Sequence, residues 1–162
     1  MADHIAHFIG TMGYVGHLPG APGTWGTLAT APLWYFGFGL MPPLLYAVTL
    51  AGFYFAGVWA ISVCDPLFQT HDSTDIVIDE LVGFLTGMML VPVTPYTLIT
   101  GIVLFRIFDI AKPWPCRIFD RKHEGAHPVV LDDFMAGIWT LVCMHILGYL
   151  SRSGHLPAWF WG

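Results

Sequence analysis

From His4 to Cys64 the chain carries no Asp, Glu, Lys or Arg, and this long uncharged stretch constrains the fold more than any other feature. A soluble domain places roughly a quarter of its residues as charges on its surface. Here charged residues make up 10% and the mean hydropathy is +0.65, so water is not the principal solvent of this fold and an integral membrane protein is expected. A charge at the centre of a spanning helix costs roughly 2.5 to 3.5 kcal/mol, so charges kept beside apolar segments need partners, a metal or an aqueous site. Nearly all of them lie in two clusters, 65–80 and 106–133, and function is expected there.

Apolar runs separated by proline breaks predict helices over 27–40, 44–63, 76–91, 96–109 and 134–150, each longer than an ordinary strand. The predicted fold is all-α: a polytopic membrane bundle of about five main apolar helices, some short or only partly spanning, in one domain over residues 1–162. Of these, 44–63 reaches across a hydrocarbon core of about 30 Å and the others fall short. The breaks at Met41-Pro42-Pro43 and at 92–95 predict tight hairpins between antiparallel helices, which puts both charged clusters on one side. Five of the six basic residues, Arg106, Lys112, Arg117, Arg121 and Lys122, lie in or near the second cluster, so that side is expected to be cytoplasmic. Gly83 and Gly87 form a small-xxx-small face for close helix contact, with Ala136 and Gly137 a second candidate, and the run Trp159-Phe160-Trp161 is expected to be an interfacial anchor.

The first residues lack a basic n-region and a cleavage site, so no removable signal peptide is expected. Cys64, Cys116 and Cys143 are an odd number at unrelated spacings and predict reduced packing residues. A net charge of −5 gives no basis for nucleic-acid binding. No feature of the sequence sets an oligomeric state.

In the first cluster, a helix starting near Asp75 would put Asp75 and Asp79 on one face at i, i+4, with Glu80 turned about 100° away. Repulsion between them favours a bound cation. Capping accounts for Asp72 or Asp75 but leaves Asp79 and Glu80 unexplained. In the second cluster, Arg106 and Asp109 are spaced for an intrahelical ion pair, and Lys112, before Pro113, is pushed out of helical geometry at the helix exit. A phosphate would suit both cations. Asp132 and Asp133 are expected to begin the last helix, where one carboxylate serves as a cap and two are more than a cap requires. Upstream, Gly23, Thr24, Gly26 and Thr27 could receive phosphate oxygens at a helix start, or form an interfacial turn anchored by Trp25. The eight histidines have no metal-ligand spacing, so the candidate ligands are all oxygen and favour Mg²⁺ or Mn²⁺.

Taken in order, PGTWGTLA (22–29), IVIDELVG (76–83), FRIFDIAKPWPCRIFDR (105–121) and LDDFMAG (131–137) resemble the phosphatidylglycerophosphatase A family over most of the chain. The resemblance implies a bacterial inner-membrane, Mg²⁺-dependent phosphatase acting on phosphatidylglycerophosphate among the bilayer lipids. It implies metal ligands at Asp79, Glu80, Asp132 and Asp133, with Asp72 and Asp109 as nearby ligands or a base. Arg106 and Lys112 would then stabilise charge, with Arg117 and Arg121 also binding substrate. The chain departs from the family in carrying Glu124-Gly125-Ala126-His127-Pro128-Val129-Val130 where relatives have a glycine-rich stretch, and a less flexible loop is expected there. An ion- or proton-coupled transporter is the rival reading of intramembrane carboxylates, against which stand the lack of an inverted repeat and the charge concentrated on one side.

Overall fold

A computed structural model describes residues 2–68, 75–120 and 125–161, with the side chains of 65–68, 120 and 158 left out of the description. The described residues form helices and turns and no strand: α1 (Ala2–Gly10), α2 (Pro22–Phe36), α3 (Pro43–Phe68), α4 (Ile78–Gly87), α5 (Pro95–Ala111), α6 (Cys116–Asp120) and α7 (Ala126–Arg152). The five predicted segments correspond to α2, α3, α4, α5 and α7, while α1 and α6 are additional.

Local chemistry explains several boundaries. Pro22 and Pro95 stand at the first turns of α2 and α5, where a missing N–H costs nothing. Thr94 and Thr97 form a reciprocal capping box, each backbone N–H donating to the other's hydroxyl at 3.1 Å. At the other end of α5, Lys112 adopts a left-handed conformation (φ 44°, ψ 62°) before Pro113, in line with the expected helix exit.

Two expectations change. The last helix starts at Ala126 rather than at Asp132, so the departing segment is already helical from Ala126 and neither aspartate is a cap. This lengthens α7 to 27 residues, and α3 and α7 are the two described helices long and apolar enough, by length and composition, to cross a membrane. By contrast α5, with 17 residues, reaches only about 25 Å. The Met41–Pro43 break also does not make a packed hairpin, since α2 packs chiefly on α4 and α5 rather than on α3.

The core centres on α4, which is buried from Leu81 through Gly87 and packs most closely along α7. A Cβ at Gly83 would lie 2.6 Å from the Asp133 carbonyl oxygen, and one at Gly137 would lie 2.3 Å from the Gly83 carbonyl oxygen. The two backbones therefore touch, as the small-residue faces predict. Tyr46 of α3 ties this pair down by donating from its hydroxyl to the Leu85 carbonyl at 2.6 Å. The outer faces remain apolar: Phe36, Leu44, Phe55 and Ile110 are each at least 65% exposed. The C-terminal aromatic run divides. Trp159 is exposed and lies tilted against Tyr96, whereas Trp161 is buried against Gly148, beside the Arg152 guanidinium, so it packs rather than projects.

Candidate active site

Asp79 and Glu80 occupy the first turn of α4, where the N–H of Glu80 donates to Asp79 Oδ1 at 3.2 Å. Negative side chains are favoured at a helix N-terminus. The helix begins only at Ile78, because Val77 is held outside it by an N–H···O bond to the Gly10 carbonyl at 2.9 Å. Asp75 consequently does not share a helical face with Asp79. It pairs with His17 at 3.4 Å, away from the other carboxylates.

The glycine contact between α4 and α7 brings Asp133, 6% exposed and two turns inside α7, to the start of α4. Carboxylate oxygens of Asp79, Glu80 and Asp133 then lie within 4.8 Å of one another. From α5, the Asp109 carboxyl comes within hydrogen-bonding reach of Asp133, and its charge acts on Asp79 and Glu80. Arg106 donates from a terminal guanidinium nitrogen to Asp109 Oδ2 at 2.5 Å, and Lys112 Nζ donates to Asp132 Oδ2.

Asp79, Glu80, Asp109, Asp132 and Asp133 thus face two cations, Arg106 and Lys112. The α4 start lies outside the two helices long enough to span a membrane. Burial raises the Asp79 carboxyl to about 6, and burial followed by the charges of Asp79 and Asp133 raises that of Glu80 well above the ordinary range. Glu80 Oε2 is buried with no hydrogen-bond partner. A divalent cation would answer both the crowded negative charge and this orphaned oxygen.

The N-terminal turn of α2 closes the site. A Cβ at Gly23 would sit 2.1 Å from Glu80 Oε1 and 3.0 Å from an Arg106 guanidinium nitrogen, and one at Gly26 would sit 2.9 Å from the Val77 Cβ. Only glycine lets α2 approach this closely. Thr24 is half-buried beside Gly23, while Thr27 is fully buried and donates its hydroxyl to the Gly23 carbonyl at 2.9 Å. Trp25 is exposed, its indole N–H donating to the Pro19 carbonyl at 3.1 Å, so one short motif forms both a site wall and an outward-facing aromatic.

The fold therefore brings together Asp79, Glu80, Asp109, Asp132, Asp133, Arg106, Lys112 and Gly23. Arg117 stands exposed on α6, and Asp72 and Arg121 lie outside the described residues. Sequence reasoning did not find the direct contact of Gly23 with Glu80, nor the clamp of Gly10 and His17 on the residues preceding α4. For the first, the glycine at helix position N2 was the available signal.

Fold and site define an all-helical protein with an acidic centre of oxygen donors flanked by an arginine and a lysine. The model of the family Phosphatidylglycerophosphatase A matches residues 8–148, and the chain belongs to that family. It is 33% identical over 125 residues to a phosphatidylglycerophosphatase A of Escherichia coli, covering 76% of this chain and 72% of the relative. To the Haemophilus influenzae protein of the same name it is 30% identical over 126 residues, covering 77% of each. A Bacteroides thetaiotaomicron protein, provisionally named a phosphatidylinositol-3-phosphatase, is 33% identical over 128 residues, covering 75% of this chain and 79% of that protein. No solved structure matches the chain.

Proposed function

We propose that this protein hydrolyses phosphatidylglycerophosphate to phosphatidylglycerol and inorganic phosphate, using Mg²⁺ or alternatively Mn²⁺, at the cytoplasmic side of a bacterial inner membrane. The observation that carries this reading is the convergence of Asp79, Glu80 and Asp133 beside Arg106 and Lys112 in a chain of this family.

The residues fit a hard divalent cation. Their donors are all carboxylate oxygens, Glu80 Oε2 is buried without a partner, and a side chain at Gly23 would collide with Glu80 Oε1. Asp79, Glu80 and Asp133 would hold the ion, with Asp132 beside them. When bound, it supplies Lewis-acid stabilisation of charge on the phosphate oxygens.

The chain's own groups do the rest. Arg106 presents a planar guanidinium suited to two phosphate oxygens, and Lys112 adds a second positive charge, so both offset charge as the phosphoryl group passes to water. Asp109, bonded to Arg106, takes the proton of the attacking water at its carboxylate as the bond from phosphorus to the glycerol oxygen breaks, and returns it to that departing oxygen. The α2 N-terminus turns the positive end of its dipole toward the site, with Gly23 and Thr24 lining the approach. Arg117 on the exposed face of α6 is available to the second phosphate of the substrate.

Spacing along α7 supports the membrane placement. Asp132 and Arg152 lie about 30 Å apart along this helix, one hydrocarbon thickness, and Arg152 is met by Trp161 on the far side. The remaining basic residues gather at the acidic end, which favours that end as cytoplasmic.

The test is phosphate release by the purified protein in detergent micelles. Release from phosphatidylglycerophosphate, loss of activity in chelator and recovery with Mg²⁺ are expected. Faster release from phosphatidylinositol 3-phosphate would reassign the substrate, and full activity after thorough metal removal would refute the cation.

A further inference from the structure

An open groove of about 530 Å³ runs along the outer face of α5, lined by Ile102, Val103, Arg106, Ile107, Ile110 and Ala111. These residues form two adjacent rows at four-residue spacing, 102–106–110 and 103–107–111, so a single helix face supplies the whole lining. Arg106 is the charged member of this set. The others are apolar: Ile102 is half-buried against the core, while Val103 (52%), Ile107 (51%) and Ile110 (73%) are exposed.

Arg106 belongs to both the groove and the acidic site. Its guanidinium bonds Asp109 and approaches Gly23, yet its aliphatic stem forms part of the groove wall, the usual behaviour of a long cationic side chain at an apolar boundary. We propose that this groove seats an acyl chain of the lipid substrate, so that the α5 face distinguishes a membrane lipid from a short-chain phosphate ester. The inference rests on the phosphatase reading above.

The occupant follows from complementarity. A hydrocarbon chain has no polar group to satisfy and suits a wall of isoleucine, valine and alanine. Any bilayer lipid can enter on those terms, but a chain that continues into a phosphate ester also gains the Arg106 guanidinium at the groove's edge. Continuing the row to Ile99, 60% exposed, extends the apolar track to about 16 Å from Ile110. Blocking the groove should therefore weaken capture of long chains more than phosphoryl transfer itself.

The experiment compares hydrolysis of dioleoyl and dihexanoyl phosphatidylglycerophosphate in detergent micelles by the wild type, V103W, I107W and V48W. Val48 lies on the exposed face of α3, 61% exposed, and serves as the control position. In V103W and I107W the ratio of kcat/KM for the long over the short chain should fall about tenfold, as expected for displacing roughly two buried methylenes, mainly through KM. In V48W the ratio should stay within about twofold. A second measurement uses the unmodified protein: a phosphatidylglycerophosphate with a photoreactive acyl terminus should label the α5 peptide above other helices. An unchanged ratio in both groove variants, or equal losses on both substrates, would overturn the groove while leaving the phosphatase reading intact. Photolabel confined to other helices would overturn it too. A wild type inactive on both substrates would overturn the phosphatase reading and the groove with it.

Discussion

Gly23 and Glu80, far apart in sequence, approach so closely that a methyl group on the Gly23 α-carbon would lie 2.1 Å from Glu80 Oε1. Gly23→Ala must displace Glu80, α2 or both, and the same methyl would meet Arg106 at 3.0 Å. Activity should fall at least about tenfold, the scale of a loss of about 1.4 kcal/mol in transition-state stabilisation, with helical content retained. Gly52→Ala is the comparison, since its added Cβ meets nothing within 4 Å; it should leave turnover unchanged. Phosphate-release kinetics and circular dichroism on both variants check the pair.

Asp79→Asn and Asp133→Asn keep size and remove charge. Asp133 lies inside α7 and Asp79 follows the N-cap Val77 in α4, so neither change removes a cap, and Asn at 79 loses only the charge's favourable interaction with the helix dipole. If they hold the proposed cation, both should lose at least about 100-fold in kcat/KM while staying folded. Folded variants working at near wild-type rates would show that these carboxylates do not hold the cation.

Lys112→Met removes the ammonium that bonds Asp132 and keeps the side chain's length. Turnover should drop about tenfold or more through weaker stabilisation of the phosphate, while the Mg²⁺ concentration for half-maximal activity moves less than in the aspartate variants. Titrating Mg²⁺ at saturating lipid separates the two effects, and an equal shift in both would make Lys112 part of the cation site.

Arg117 and Ser153 are both exposed, the first on α6 and the second at the C-terminal end of α7. In intact inner-membrane vesicles of known orientation, R117C should react with a membrane-impermeant maleimide from the cytoplasmic side and S153C from the other. Cys64 and Cys116 are buried, and half-buried Cys143 is replaced by serine in both variants to keep the background low. Labelling of both positions from one side would reject the spanning arrangement of α7.

The helical class, the carboxylate-rich charged clusters, the cations Arg106 and Lys112 and the small-residue faces are all legible in the sequence. Each is written locally: in apolar run length, in residue type, or in a four-residue spacing. The exit of α5 at Lys112 was legible for the same reason, because Pro113 restricts the residue before it. Which carboxylates share a centre is set by packing between distant helices. Asp75 was expected on one helical face with Asp79, but the hydrogen bond from Val77 to Gly10 delays the start of α4 and leaves Asp75 with His17. One of Asp132 and Asp133 was expected to cap the last helix, but α7 begins at Ala126 and leaves both inside it. The convergence itself depends on backbone contact between Gly83 and Gly137 and on the approach of Gly23 to Glu80. No local period encodes these contacts, because a glycine's use lies in the neighbour its missing side chain admits, and that neighbour is chosen by packing between distant helices.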